Sequence, residues 1–220
     1  GGVFVSRQYI IKKVECTEIE HMDSIWDSIE PIYVDIFPWD ENGYTPKTEV
    51  RVFYTATHMY IQFRAYEREI EAIYTEMNDP VYMDSCVEFF INPIPDRDHR
   101  YLNFETNCLG TLNLGIGVSR YDRETIDESY LPMFQIKSSV TPETIELYTG
   151  EFWILDYVIP LEFLNKFYDD VEFKSGRRMK GNFYKCGDET KYPHYGCWNK
   201  VIAREPDFHR PECFGDLILE

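Results

Sequence analysis

The stretch 84–92, Asp-Ser-Cys-Val-Glu-Phe-Phe-Ile-Asn, constrains this chain more than any other. Side chains of an extended strand point alternately to opposite faces. Val87, Phe89 and Ile91 therefore share one face, suited to a core. Asp84, Cys86, Glu88, Phe90 and Asn92 share the other. A second run, 101–107, repeats the pattern. Leu102 and Phe104 join the core face, and Tyr101, Asn103, Glu105 and Asn107 oppose it. Between the runs, 93–100 holds two prolines and several charges, the composition of a hairpin loop. Two neighbouring strands of this kind present one surface of carboxylates, amides and a phenol. Directly opposed glutamates would have Cβ atoms about 4.5–5.5 Å apart. At that distance one carboxyl pKa rises, or the pair shares a cation. A slip of one residue would move Glu88 or Glu105 into the wrong layer.

The rest of the chain reads mainly as strand. Met59, Ile61, Phe63 and Ala65 alternate clearly. Strands are predicted over 9–14, 49–55, 59–66, 84–92, 101–107, 112–118, 135–140, 151–159, 180–186 and 217–219. Helical spacing is confined to 19–29, around Trp26, and to 161–168, where Leu161, Leu164 and Phe167 form one stripe. The pattern predicts an all-β, antiparallel β-sandwich with long loops and one or two short helices. A single domain over 1–220 is expected. Connections 30–48 and 187–214 are too long for plain turns. The second is too aromatic for disorder and is expected to fold over an edge or face of the sandwich.

Charge excludes some partners. The net charge is −17, from 22 basic and 39 acidic residues, and it repels a phosphate backbone, so nucleic acid is not expected. An acidic surface fits a neutral ligand or a cation, and equally serves solubility. No apolar run reaches the length of a membrane span. No secretory signal is present, and the chain opens on Gly1-Gly2 without Met, as a processed or recombinant form would. Its compartment stays open between extracellular or periplasmic and cytoplasmic, and no oligomeric state follows. The six cysteines, Cys16, Cys86, Cys108, Cys186, Cys197 and Cys213, form no C-x-x-C pair, so mostly free thiols and no paired-cysteine zinc site are expected. G-x-S-x-G and phosphate-cradling motifs are absent. His194 and His209 lie near Asp188, Asp207 and Cys197, a mixed ligand set for a transition metal. Their spacing matches no zinc pattern, and loop hydrogen bonding is the simpler role.

The polar strand face suits a ligand rich in hydroxyl groups, a mono- or oligosaccharide. A sugar ring also offers C–H faces that stack on aromatic rings. Tyr82 precedes Glu88 by six residues, and Trp198 lies in the late loop. Together they would close on a ring from two sides. Trp26, Trp39 and Trp153 compete for that role, but Trp153 alternates with Leu155 and Tyr157, which suits a core. Two alternatives stay open. Glu88 and Glu105 would serve a retaining glycosidase if their carboxyl groups stood about 5–5.5 Å apart. Or the fold persists as an interaction domain, with Trp198 buried and the polar face covered by 187–214.

Several runs carry a family resemblance. They are D-S-C-V-E-F-F-I from Asp84, Y-L-N-F-E-T-N from Tyr101, N-F-Y-K-C-G-D from Asn182, P-D-F-H-R-P-E-C-F-G from Pro206, and Thr57-His58-Met59-Tyr60-Ile61 within 50–63. Together they resemble the carbohydrate-binding module family 9-like proteins over residues 32–217. The resemblance implies a DOMON-like β-sandwich and non-catalytic recognition of plant-polysaccharide sugars or chain ends, of xylan or cellulose type. It also implies an association with xylanases and polysaccharide catabolism. Family members clamp the sugar between two tryptophans and bond it through glutamate, asparagine and basic groups. Glu88 matches the ligand-binding glutamate, Tyr82 stands where one tryptophan would be, and Trp198 is the candidate for the other. Arg100 or Lys185 would supply the basic group. The expected ligand-binding set is therefore Tyr82, Glu88, Tyr101, Asn103, Glu105, Lys185, His194 and Trp198. The resemblance implies a structural calcium and no other cofactor.

Overall fold

Alternating apolar residues build most of this chain into strands. A computed structural model describes residues 5–15 and 22–220. In chain order the strands are β1 (Gln8–Lys13), β2 (Ile32–Val34), β3 (Thr48–Tyr54), β4 (His58–Ala65), β5 (Cys86–Asn92), β6 (Tyr101–Asn107), β7 (Leu112–Gly117), β8 (Arg123–Thr125), β9 (Lys137–Ser138), β10 (Trp153–Pro160), β11 (Arg178–Cys186), β12 (Tyr195–Cys197) and β13 (Gly215–Leu219). Two short helices accompany them, α1 (Met22–Ser28) and α2 (Leu161–Phe167).

The strands join edge to edge in the order β8-β7-β6-β5-β11-β13-β1-β3-β4-β10-β9, with β12 on β11 and β2 on β3. Strand β1 is the fold line. Its Gln8–Ile11 half pairs with β13, and Lys12 and Lys13 pair with β3, both in parallel register. All other strand pairs are antiparallel, as the sequence predicts. The sheet thus curls into two layers, one centred on β5, β6 and β11 and the other on β3, β4 and β10.

Aromatic rings fill the space between the layers. Phe183 of β11 stacks on Phe89 of β5, with centroids 4.7 Å apart and planes 7° apart. The same ring meets Phe63 of the opposite layer at 6.3 Å and Tyr9 of β1 at 6.4 Å, both edge-on. Phe104 of β6 stacks on Tyr157 of β10 at 5.8 Å. Trp153 is fully buried, in keeping with its alternation with Leu155 and Tyr157.

Most expected strands appear with ends moved by one or two residues. The stretch 135–140 shrinks to β9, and β2, β8 and β12 fall inside segments read as loops. Strands of two or three residues are too short to show an alternating period. Asp84 is a correction. Strand β5 begins at Cys86, and the Asp84 carboxylate instead accepts from the amides of Ile73 and Tyr74 and from the Asn107 side chain. It braces the strand entrance rather than extending the polar face. The helix expected over 19–29 is α1; residues 19–21 and Cys16 lie outside the described residues. No helix among the described residues is long and apolar enough to cross a membrane.

Phe183→Ala empties the place where both layers meet. It should lower unfolding free energy by about 3–5 kcal/mol, measured by chemical denaturation. Tyr121→Ala, at a side chain 91% exposed, should change it by less than about 0.5 kcal/mol.

Candidate functional site

The outer face of the β5–β6–β11 layer is polar where the inner face is apolar. The ladder pairs Glu88 directly with Glu105 and Asn103 with Phe90. On the far side of β5, Tyr184 pairs with Glu88 and Cys186 with Cys86. On the far side of β6, Asn113 pairs with Glu105 and Gly115 with Asn103. The two carboxylates therefore stand side by side on one face, as the alternation predicts.

The long segment 187–214 folds over this face but closes only part of it. Phe208 stacks on Tyr184 with centroids 4.2 Å apart. Phe90, Tyr101, Phe214, Cys86 and Cys186 belong to the same apolar cluster, on the outer side of the layer. Beside it a cleft of about 520 Å³ remains, floored by Glu88, Asn103, Glu105, Asn113 and Cys186. Tyr82, Asp188 and Tyr195 wall one side, and Arg120, Arg123 and residues Glu205, Asp207 and His209 wall the other. Its size lies within the range of small-molecule sites, about 300–1,000 Å³.

The electrostatics of the floor follow from burial. Glu88 and Glu105 are only 2% and 5% exposed. Burial pushes the Glu88 carboxyl well above the usual carboxylate range, and the Cys186, Glu105 and Asp188 side chains add to it. Glu105 is raised less, because the Asn103 amide, the Arg123 and Arg120 charges and a hydrogen bond with Glu88 oppose its desolvation. Of the two, Glu88 holds its proton the more tightly. Asn103 donates its Nδ2–H to Glu105, and its Oδ1 is buried without a partner. A buried acceptor of this kind costs about 1–3 kcal/mol until a donor arrives. Burial, with Glu105 and Glu189 adding to it, pushes Asp188 up to about 7.

The basic wall is built by a close approach. A Cβ on Gly115 would lie 2.7 Å from Arg123 and 3.0 Å from Asn103, so only glycine lets the Arg123 side chain cross β7. Arg123 and the Tyr101 hydroxyl both donate to His209 Nδ1, at 2.8 and 2.7 Å. Two donors on Nδ1 leave the ring proton on Nε2. Burial and the two arginines push His209 down to about 3, so it stays neutral. Asp207 pairs with Arg120 at 3.2 Å and Arg210 at 2.9 Å, holding this loop in place.

Of the expected ligand-binding set, Tyr82, Glu88, Asn103 and Glu105 meet in this cleft. Tyr101 shares their face but lies beneath His209. Three others are corrections. Lys185 alternates with Tyr184 and Cys186, so it points into the interior, where its Nζ pairs with Glu67 at 2.5 Å. His194 joins it there. Its Nε2 accepts from Lys185 at 2.7 Å and its Nδ1–H donates to the Tyr192 carbonyl, while burial and Lys185 push it down to about 2. Trp198 forms no lid. Its indole is 2% exposed and packs edge-on against Phe183 at 5.8 Å. Arg100 also lies elsewhere, paired with Asp98. The basic groups that do reach the cleft, Arg120 and Arg123, sit in the β7–β8 turn and the short β8, where no strand pattern marks them. Alternation carried across β11 puts Cys186 on the face of Glu88.

Among the described residues, Cys86, Glu88 and Cys186 converge as metal-ligating side chains, and two of the three donors are sulfur, whereas calcium takes oxygen ligands.

The family described as carbohydrate-binding family 9 matches residues 20–219. A crystal structure of a candidate carbohydrate-binding protein from Bacteroides uniformis is 32% identical, with a TM-score of 0.85, over 98% of this chain and all of that one. A family 9 module from Caldicellulosiruptor kristjanssonii in complex with glucose is 13% identical with a TM-score of 0.65, over 97% of this chain and 96% of that one. The same module with cellotriose gives 13% and 0.65, over 97% and 94%. At that identity the likeness is one of fold. No curated protein matches this chain.

Asp188 supplies a pH test. A carboxyl with a raised folded pKa stabilises the fold below its unfolded value, and that contribution is lost as pH rises to about 7. Asp188→Asn should therefore match the wild type near pH 4 and exceed its stability at pH 8 by on the order of 2 kcal/mol. Thermal denaturation across that range checks it.

Proposed function

The chain belongs to carbohydrate-binding family 9, and we propose that the cleft over Glu88, Asn103 and Glu105 is where it holds a sugar. The binding is non-catalytic. The ligand we infer is a neutral pyranose or the end of a plant-polysaccharide chain, of glucose or xylose type. One observation carries this reading: the unpartnered Oδ1 of buried Asn103, on the cleft floor beside two carboxyl groups. A sugar hydroxyl is both donor and acceptor. It would donate to Asn103 or Glu105 and accept from Arg120 or Arg123.

Stacking surfaces are present too. Tyr82 is 37% exposed at the rim, and Tyr195 lines the same wall. These tyrosines take the place expected of Tyr82 and Trp198. The acids Asp188, Glu205 and Asp207 outnumber the two arginines, so a neutral sugar suits the cleft better than a uronate.

The geometry counts against a glycosidase. A retaining hydrolase sets its two carboxyl groups on either side of the scissile bond. Here Glu88 and Glu105 are direct cross-strand partners that stand side by side on one floor, rather than on either side of a cleft.

Calorimetry with glucose, xylose, cellobiose and xylobiose tests the proposal. At least one should bind at millimolar concentration or below, and glucuronate should bind more weakly than glucose. Asn103→Ala should weaken binding about tenfold or more, since each decade is about 1.4 kcal/mol. Tyr82→Ala should weaken it similarly. Chromogenic glycosides should release no product. Absence of heat with all four sugars at millimolar ligand, or unchanged affinity in Asn103→Ala, would count against this site.

A further inference from the structure

At one end of the cleft floor two thiols and a carboxyl group converge. Cys86 and Cys186 are direct cross-strand partners on β5 and β11. Glu88 follows Cys86 by two residues on the same face. Cys86 Sγ lies 3.9 Å from Glu88 Oε1, and Cys186 Sγ lies 3.5 Å from the same oxygen. One ligand atom from each residue lies within 4.8 Å of the other two. With zinc–sulfur and zinc–oxygen bonds of about 2.3 and 2.0 Å, the edges of a tetrahedron are about 3.5 Å between sulfur and oxygen. Between two sulfurs the edge is about 3.8 Å. The three side chains therefore approach the spacing of a tetrahedral site before any ion is added.

We propose that Cys86, Glu88 and Cys186 bind a thiophilic divalent cation of the zinc class at the floor of the cleft. The donor set, two sulfurs and one oxygen, selects such an ion over calcium or magnesium. No cation of the protein already occupies the carboxyl end of this set: Glu88 is 2% exposed, and no described lysine or arginine forms an ion pair with it. Lys185, the adjacent cation, faces the other side of the sheet. Glu88 and Cys186 open onto the cleft, so the fourth position is left to solvent or to the Tyr82 carbonyl, 3.6 Å from Cys186 Sγ. Binding as thiolates displaces both thiol protons to solvent, so affinity rises with pH.

The site goes beyond the sugar reading and does not depend on it. The test uses the whole protein, reduced with a phosphine and free of sugar. Titration with cobalt(II) should give thiolate-to-metal absorption that saturates at one ion per chain and is displaced by zinc. Calcium should give nothing. X-ray absorption of the zinc-loaded protein should show two sulfur neighbours at about 2.3 Å. Cys186→Ser and Cys86→Ser should abolish the absorption, and Cys213→Ser should keep it. A wild-type protein that gives no saturable thiolate absorption, or zinc ringed by oxygen and nitrogen alone, overturns the proposal. Both wild-type readings stand even if the cysteine variants fail to fold. Sugar calorimetry in the presence of chelator separates loss of this site from failure of the saccharide reading.

Discussion

The register between β5, β6 and β11 is the constraint on which the site depends. Its inner face is locked by the stack of Phe89 on Phe183 and by the rings that cross from the opposite layer. A slip of one residue would expose Phe89 and drive Glu88 between the layers, an exchange that loses apolar burial and strands a charge. The core thus fixes the outer face, and Glu88 and Glu105 are held opposite each other by residues that never touch a ligand. Segment 187–214 uses the same logic twice. Trp198 plugs the inner core, and Phe208 caps Tyr184 outside, so the loop is anchored on both faces beside the cleft.

Directly behind the floor lies a buried polar knot. Lys185 pairs with Glu67, which also accepts from Trp153 and Ser85, while Lys185 donates to His194 and to the Cys186 carbonyl. Every charge in it is paired, the condition under which buried ions are tolerated. The knot ties β11 to the segment after β4, to β10 and to the turn before β12. Rigidity of this kind suits a binding floor, because groups that are already placed lose little entropy when a ligand arrives.

Alternation made the centre of this arrangement legible. It placed Val87, Phe89, Leu102 and Phe104 inside, put Glu88, Asn103 and Glu105 on one outer face, and sent Trp153 to the core. The same rule applied to β11 separates Lys185 from Cys186 and turns Lys185 inward. Trp198, His194 and the arginines are different. They sit in loops or very short strands, where position is decided by tertiary packing and by glycines that leave room, Gly215 beside Trp198, Gly187 beside His194, and Gly115 and Gly117 beside Arg123, and no period in the sequence encodes either.

The central claim is that the cleft above Asn103 receives a sugar. A crystal structure of the protein with glucose tests it most directly. The account predicts a pyranose in this cleft, with a hydroxyl within hydrogen-bond distance of Asn103 Oδ1 and the ring alongside Tyr82. Glucose bound at another surface, with the Asn103 oxygen still lacking a donor, would contradict it.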